Sequence, residues 1–258
     1  MIGCKNLLVC SIFYGVSIGT VSAGAMGSMS DEVKWSAIYA GLNTGASFGN
    51  IRARANSSGL YTFNNNTNAN IGADALVMQY GQFSVTPASG VLGLQLGYNW
   101  QHEKLLLGLE TSYDFQFEQY NKENDSLSSN FTTDLTMESY SFYSIRSRIG
   151  YLLSHILMYG TGGLVLTNEY IEQDFGVVSG PTVYSQFSIG WTVGGGVEWM
   201  FIPNKWTLNI QYLFLDYGTI NQTTTVVPAG AGLPVGIVNT NTSVTNNVVT
   251  VGINYLFG

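Results

Sequence analysis

This sequence is short of charge. Only 10% of its 258 residues are Asp, Glu, Lys or Arg, against about 25% in ordinary soluble domains, so little is available to dress a surface that faces water. What charge there is sums to −7, which argues against a nucleic-acid partner. Cysteine is nearly missing: Cys4 and Cys10 both fall in the N-terminal segment, so the mature chain is expected to carry no thiol, disulfide or cysteine metal site. The two histidines, His102 and His155, are too few for a His-ligated zinc, and no cofactor or metal is expected. Beyond residue 23 no stretch approaches the ~20 consecutive apolar residues of a transmembrane helix. Yet hydrophobic residues make up 45% of the chain and glycine occurs 31 times.

Part of that hydrophobicity lies at the start. "MIGCKNLLVCSIFYGVSIGTVSAGAMG" has one cation, Lys5, then an apolar run, then the small residues of "VSA". Residues 1–23 are expected to be a secretory signal peptide cleaved after Ala23, with 24–34 a short N-terminal segment and 35–258 the folded domain. "LLVC" is not read as a lipidation box, because its apolar run follows Cys10 and Val9 fits poorly beside the cysteine.

The rest is distributed with period two. In 91–119, Leu92, Leu94, Leu96, Tyr98 and Trp100 alternate with Gly93, Gln95, Gly97 and Asn99; after "QHEK", Leu105, Leu107, Leu109, Tyr113, Phe115 and Phe117 alternate with Gly108, Glu110, Ser112, Asp114 and Gln116. Alternation means strands, and a four-residue break means a hairpin. The pattern recurs and predicts eight strands at about 35–48, 91–101, 104–117, 137–153, 156–170, 184–201, 205–218 and 245–257. Six can be phased; in their apolar rows only Thr111, Ser147 and Gly195 are not hydrophobic. The first and fifth are too rich in Gly and Ala to phase.

Tight turns ("QHEK", "LSH", "IPN") alternate with long polar loops at 49–90, 118–136, 171–183 and 219–244. Aromatics collect at the two ends of the apolar rows. Trp35, Tyr98, Trp100, Tyr151, Trp199, Phe201, Trp206, Tyr255 and Phe257 lie near the tight turns or termini. Phe115, Phe117, Tyr143, Phe187, Tyr212 and Phe214 lie near the long loops. An aliphatic band between two aromatic girdles suits a bilayer, and a soluble core has no reason to sort aromatics by height. The expected fold is all-β: an eight-stranded antiparallel up-and-down transmembrane β-barrel with short periplasmic turns and long extracellular loops. The soluble alternative, a lipocalin-like barrel, would need a charged outward face.

"WSAIYAGLNTGASFG", "GLQLGYNWQ", "LLGLETSYDF", "SIRSRIGYLL", "LMYGTGGLVL", "GWTVGGGVEWMF", "WTLNIQYLFLDYG" and "VGINYLFG" resemble the successive strands of the opacity-like, OmpA-like outer-membrane proteins of Gram-negative bacteria. The resemblance covers about residues 35–258, loop interiors apart. It implies a monomer in the outer membrane, inserted by the barrel-assembly machinery, embedded in outer-membrane lipid and lipopolysaccharide, with surface loops that meet host or environment. Two departures stand out: Gly258 follows the aromatic Phe257 where an aromatic usually ends such chains, and no peptidoglycan-binding domain follows the last strand.

Inside such a barrel the polar faces place Glu110, Asp114, Arg146, Arg148 and Glu198. Glu110 and Asp114 are expected to face Arg146 and Arg148 across neighbouring strands, because unpaired charges there cost several kcal/mol each. This network reads as a plug holding the barrel shut or, alternatively, as a gate in a narrow channel for small solutes. Gly93, Gly97, Gly108, Gly150, Gly190, Gly194 and Gly196 are read as making room for the arginines. "GTGGLVL" and "GGG" lack the lysine and the strand-to-helix setting of phosphate loops. Neither histidine belongs to a catalytic set, so no enzyme is expected. In the first long loop, Leu76, Val77, Met78, Tyr80 and Phe83 could form an apolar recognition surface for a host ligand. The acidic loop at 118–136 disfavours heparin-like polyanions. The leading expectation is a non-enzymatic surface protein for membrane integrity and adhesion; the alternative is the narrow gated channel.

Overall fold

The structure, a computed structural model, describes residues 33–58, 62–64, 70–72, 82–117, 119–124, 133–174, 182–226 and 236–257. The expected signal peptide, Gly258 and the loop residues Leu76, Val77, Met78 and Tyr80 lie outside these. The strands are β1 (Ala37–Ser58), β2 (Thr62–Asn64), β3 (Asn70–Gly72), β4 (Gln82–Val85), β5 (Ala88–His102), β6 (Leu105–Gln116), β7 (Gln119–Asn124), β8 (Thr133–Leu153), β9 (Ile156–Asp174), β10 (Thr182–Ile202), β11 (Trp206–Val226) and β12 (Gly236–Phe257).

Eight of them follow one another as antiparallel neighbours, β12-β11-β10-β9-β8-β6-β5-β1, and β12 pairs back onto β1 from Ile38↔Phe257 to Ser58↔Ile237. The sheet is therefore closed, which leaves no strand edge along the membrane-facing rows. At one end three turns reverse the chain tightly, and each contains one non-glycine residue in the left-handed region: Glu103, Ser154 and Asn204.

Burial follows the alternation with its polarity inverted. Leu94 (59% exposed), Ile149, Ile189, Ile210 and Val251 stand on the outside, whereas Gln95, Asn209, Gln211 and Thr250 are buried. A protein that exposes aliphatic residues in a continuous belt and hides its amides can be at ease only in lipid. The aromatics at the turn end form edge contacts: Tyr255 meets Trp206 and Phe257 with ring centroids 5.0 Å apart in each case.

Two expectations are corrected. Trp35 is not part of the girdle. It is 1% exposed and packs inside the turn-end mouth with Leu106, Leu157, Met200 and Leu256. Its backbone N–H donates to the Gln101 side chain at 2.8 Å, and its ring takes the inward row of the alternation with Ala37 and Tyr39, while Ser36 and Ile38 face out. The strands also run further from the membrane than expected, and the four loops are correspondingly shorter. β1 continues to Ser58, β9 to Asp174 and β11 to Val226, while β8 starts at Thr133, β10 at Thr182 and β12 at Gly236. The apolar half of the alternation disappears where the outward face leaves lipid for water, as at Arg52, Arg54 and Asn56. Backbone pairing continues there without that signal.

Within the barrel most strands share one vertical order, with exceptions such as Asn99 of β5 and Thr207 of β11 at the turn end and Gln116 of β6 and Ser188 of β10 toward the loop end, all polar and buried. Apolar residues close the turn end (Tyr39, Leu106, Leu152, Leu157, Met200, Leu256), and a second apolar cluster closes the loop end (Val91, Phe142, Val165, Leu213, Val248). Polar side chains and glycine fill the height between them.

An arginine placed in the middle of the outer belt, Leu94→Arg, is expected to destabilise the folded barrel by about 2–4 kcal/mol. Urea unfolding in lipid vesicles measures it, and a change near zero would mean that this face does not meet lipid.

Candidate functional site

The charged layer is built by register. β6 lies against β8 with Glu110 opposite Arg146 and Gly108 opposite Arg148, and period two turns all the charged members inward. Glu110 is the hub. Its Oε1 accepts from Arg146 Nη2 at 2.5 Å, while its Oε2 accepts from Arg148 Nη1 at 3.2 Å and from the Tyr39 hydroxyl at 2.5 Å. Arg148 bridges to a second carboxylate, its Nη2 lying 2.6 Å from Glu198 Oε2 on β10. Glu198 Oε1 is closed off by Thr207 Oγ1 at 2.5 Å and Asn254 Nδ2 at 2.8 Å. Gln95 in turn donates to Asn254. Each charge is 1–2% exposed.

Tyrosines complete the layer. The Arg148 guanidinium lies 4.0 Å from the centroid of the Tyr159 ring and 5.4 Å from that of Tyr39, so the cation rests on π-faces as well as on carboxylates. Each ring fits because its strand neighbour is glycine: Tyr39 stands opposite Gly97, and Tyr159 opposite Gly150 on one side and Gly196 on the other. A Cβ at Gly97 or Gly196 would run into the ring. These inward glycines therefore make room for the tyrosines that carry Arg148. Gly93 instead faces the Asp114 carboxylate and the Asn43 amide, and Gly190 and Gly194 lie against the backbone of β11.

The structure brings Glu110, Arg146, Arg148 and Glu198 together but leaves Asp114 apart. Asp114 is opposite Phe142, not an arginine, and its Oδ2 accepts from Ser112 Oγ at 2.6 Å. The expected pairing of two carboxylates with two arginines on adjacent strands is thus corrected. Glu110 and Asp114 are four residues apart while Arg146 and Arg148 are two apart, so one antiparallel register cannot oppose both. Glu198 on β10, two strands from β8 and three from β6, takes the second place. Some bonding capacity is left over: Arg146 Nε and Nη1 and Arg148 Nε are buried without a partner.

Tyr39, Tyr159, Thr207, Asn254 and Gln95 were not singled out in the sequence. The two tyrosines lie on β1 and β9, the strands whose Gly and Ala content hides their phase. The available signal was the inward glycines of β5, β8 and β10, which called for large residues opposite. His102 and His155 are exposed at separate turns; His102 stacks on Trp100 and His155 Nδ1 bonds to Ser154 Oγ. Phe83 is carried by β4, opposite Ala53.

A family model described as an outer membrane protein beta-barrel domain matches residues 12–257. The chain belongs to that family. Its location is accordingly the outer membrane. A relative, the 31 kDa outer-membrane immunogenic protein of Brucella melitensis, is 30% identical over 197 residues, which is 74% of this chain and 75% of the relative. The 22 kDa outer membrane protein of Rhizobium leguminosarum is 30% identical over 122 residues, 47% of this chain and 49% of its own. Among solved structures, OprG from Pseudomonas aeruginosa aligns with 86% of this chain and 97% of its own at 15% identity and a TM-score of 0.43.

Glu110→Ala leaves both arginines short of a buried partner and is expected to cost about 3–5 kcal/mol. Asp114→Asn keeps its serine bond, loses no cation, and is expected to stay within about 1 kcal/mol of the parent. Denaturant midpoints of the two refolded variants test the order, and a larger loss for Asp114→Asn would overturn the assignment of Glu110 as hub.

Proposed function

We propose that this chain is a non-enzymatic, monomeric surface protein whose barrel is closed and whose business lies at its extracellular end. The observation that carries the reading is the stacking of the interior: a bonded ion layer held between two apolar layers. Water-filled pores need a polar path from mouth to mouth, and here an apolar cluster interrupts it at each end. The same cover argues against catalysis, because the buried carboxylates are out of a substrate's reach and the histidines stand apart at the turns. Closure of the sheet favours a monomer, inserted by the barrel-assembly machinery into outer-membrane lipid and lipopolysaccharide. The Brucella relatives are named as immunogenic, which fits an extracellular end that other molecules recognise. The strands that rise beyond the lipid belt are a rigid base for such contacts, including adhesion through residues 59–81, where Leu76, Val77, Met78 and Tyr80 lie.

One observation favours the second reading, a narrow gated channel. The spare buried N–H groups of Arg146 and Arg148 are places where water would enter if the apolar ends parted.

Planar bilayers separate the two readings. Refolded protein is expected to be silent, and Arg146→Ala with it; reproducible current steps in the parent, enlarged by the substitution, would install the channel reading instead. Replacing 61–81 by a short linker, with β4 retained, is expected to lower binding of cells to host surfaces while leaving insertion intact. Undiminished binding would remove that loop from the function.

A further inference from the structure

We propose that the outward face of β1 above the lipid belt, centred on Arg52 and Arg54, is a docking site for the phosphorylated headgroup of an outer-leaflet glycolipid. Both arginines are exposed, and two positions apart on one strand they project side by side at about 7 Å. Neither makes an ion pair among the described residues.

The surroundings match a sugar phosphate. Arg52 stands opposite Ser84 on β4 and Ser243 on β12, and Arg54 opposite Gln82 and Asn241. Asn241 is in turn opposite Asn221 on β11. Four adjacent strands therefore present hydroxyls and amides around two guanidiniums, the side chains that bind phosphate oxygens in pairs and sugar hydroxyls singly. The nearest acid on these strands, Asp216, sits lower on β11 and is engaged by the Gly218 backbone N–H at 2.8 Å.

Height selects the occupant. Phe48, 50% exposed, belongs to the same outward row of β1 and lies at the top of the belt. Four residues at about 3.3 Å each, on a strand inclined by about 40°, lift Arg52 roughly 10 Å above it. The headgroup zone that flanks a hydrocarbon core is about 5–8 Å deep, so Arg52 stands at its outer margin, within a guanidinium's reach of it. The site is continuous with the lipid-facing surface, so a glycolipid whose chains pack below on Phe48 and its neighbours brings its phosphate to the arginines.

Charge elsewhere disfavours a soluble polyanion. The chain is acidic overall at −7, and Glu123, Asp134 and Asp174 stand in register across β7, β8 and β9 on another part of the same rim. A free anion approaching from solution meets that field; a phosphate anchored in the leaflet is held beside the arginines by its own acyl chains. Of the other cations, Lys122 stands on β7 next to Glu123, on the acidic part of the rim. Lys34, Lys104 and Lys205 are exposed at the turn end, while Arg146 and Arg148 are spent inside.

The test is native mass spectrometry of the full mature chain, refolded in detergent and supplied with bisphosphorylated lipid A or with its dephosphorylated form. Arg52→Gln/Arg54→Gln and Arg52→Lys/Arg54→Lys are compared with the parent, with heat-modifiable gel migration as proof of folding. The parent is expected to retain the bisphosphorylated lipid about thirtyfold better than the glutamine variant, from two lost charges at a lipid surface. The lysine variant is expected to fall between them, and the dephosphorylated lipid to show no difference. Equal retention of bisphosphorylated lipid by the parent and the glutamine variant would overturn the proposal. So would displacement of the bound lipid by millimolar inorganic phosphate, which would mark a site for free anion.

Discussion

Everything in this molecule depends on the pairing of β1 with β12. In hydrocarbon an unpaired peptide group costs several kcal/mol, so a strand can cross a membrane only with a neighbour on each side. The ladder from Ile38↔Phe257 to Ser58↔Ile237 joins the two ends of the sheet and removes both edges at once. The pairing runs past the belt, where water could have taken the backbone groups. It thereby holds β1 and β12 together as a stiff pair at the height where Arg52 and Arg54 face out.

Closure has a geometric consequence. The alternation that sends Leu94 and Ile210 to lipid must send Gln95 and Gln211 to the interior, and an eight-stranded interior is just wide enough for side chains to fill. The filling is a matter of volumes as much as of charge. Tyr39 and Tyr159 occupy the space left by Gly97, Gly150 and Gly196, and their rings and hydroxyls are what make a buried Arg148 tolerable. Removal of either a glycine or a tyrosine disturbs the same contact, so that large and small residues on neighbouring strands act as one unit.

How much of this was legible follows from where lipid acts. The six strands that face lipid with aliphatic residues announce themselves, and so do the tight turns and the inward direction of Glu110, Arg146, Arg148 and Glu198. Beyond the belt the outward positions become Arg, Asn, Ser and Thr, and alternation no longer distinguishes a strand from a loop; hence β11 and β12 were read too short. The partners of each charge were hidden for another reason. Period two fixes which face a residue takes, but register decides whom it meets. Asp114 and Glu198 exchange places between expectation and structure for that reason alone. Trp35 was misplaced because the Gly- and Ala-rich β1 could not be phased; its alternation puts Trp35 on the inward row with Ala37 and Tyr39.

A last constraint explains why the interior is polar at all. Burying Glu110, Arg146, Arg148 and Glu198 costs several kcal/mol per ion, and apolar residues of similar volume often do as well or better. The apolar clusters at both ends of the barrel demonstrate that this interior accepts them. But an outward row that is already aliphatic, joined to an inward row of Leu and Val, would produce runs approaching the ~20 apolar residues that read as a membrane-spanning helix. Such a chain could not pass through an inner membrane to reach the outer one. The glycines, amides and charges at mid-height keep every strand below that threshold, and the ion pairs then satisfy one another once the barrel closes. The polar middle and apolar ends of the interior are thus set by transit as well as by stability.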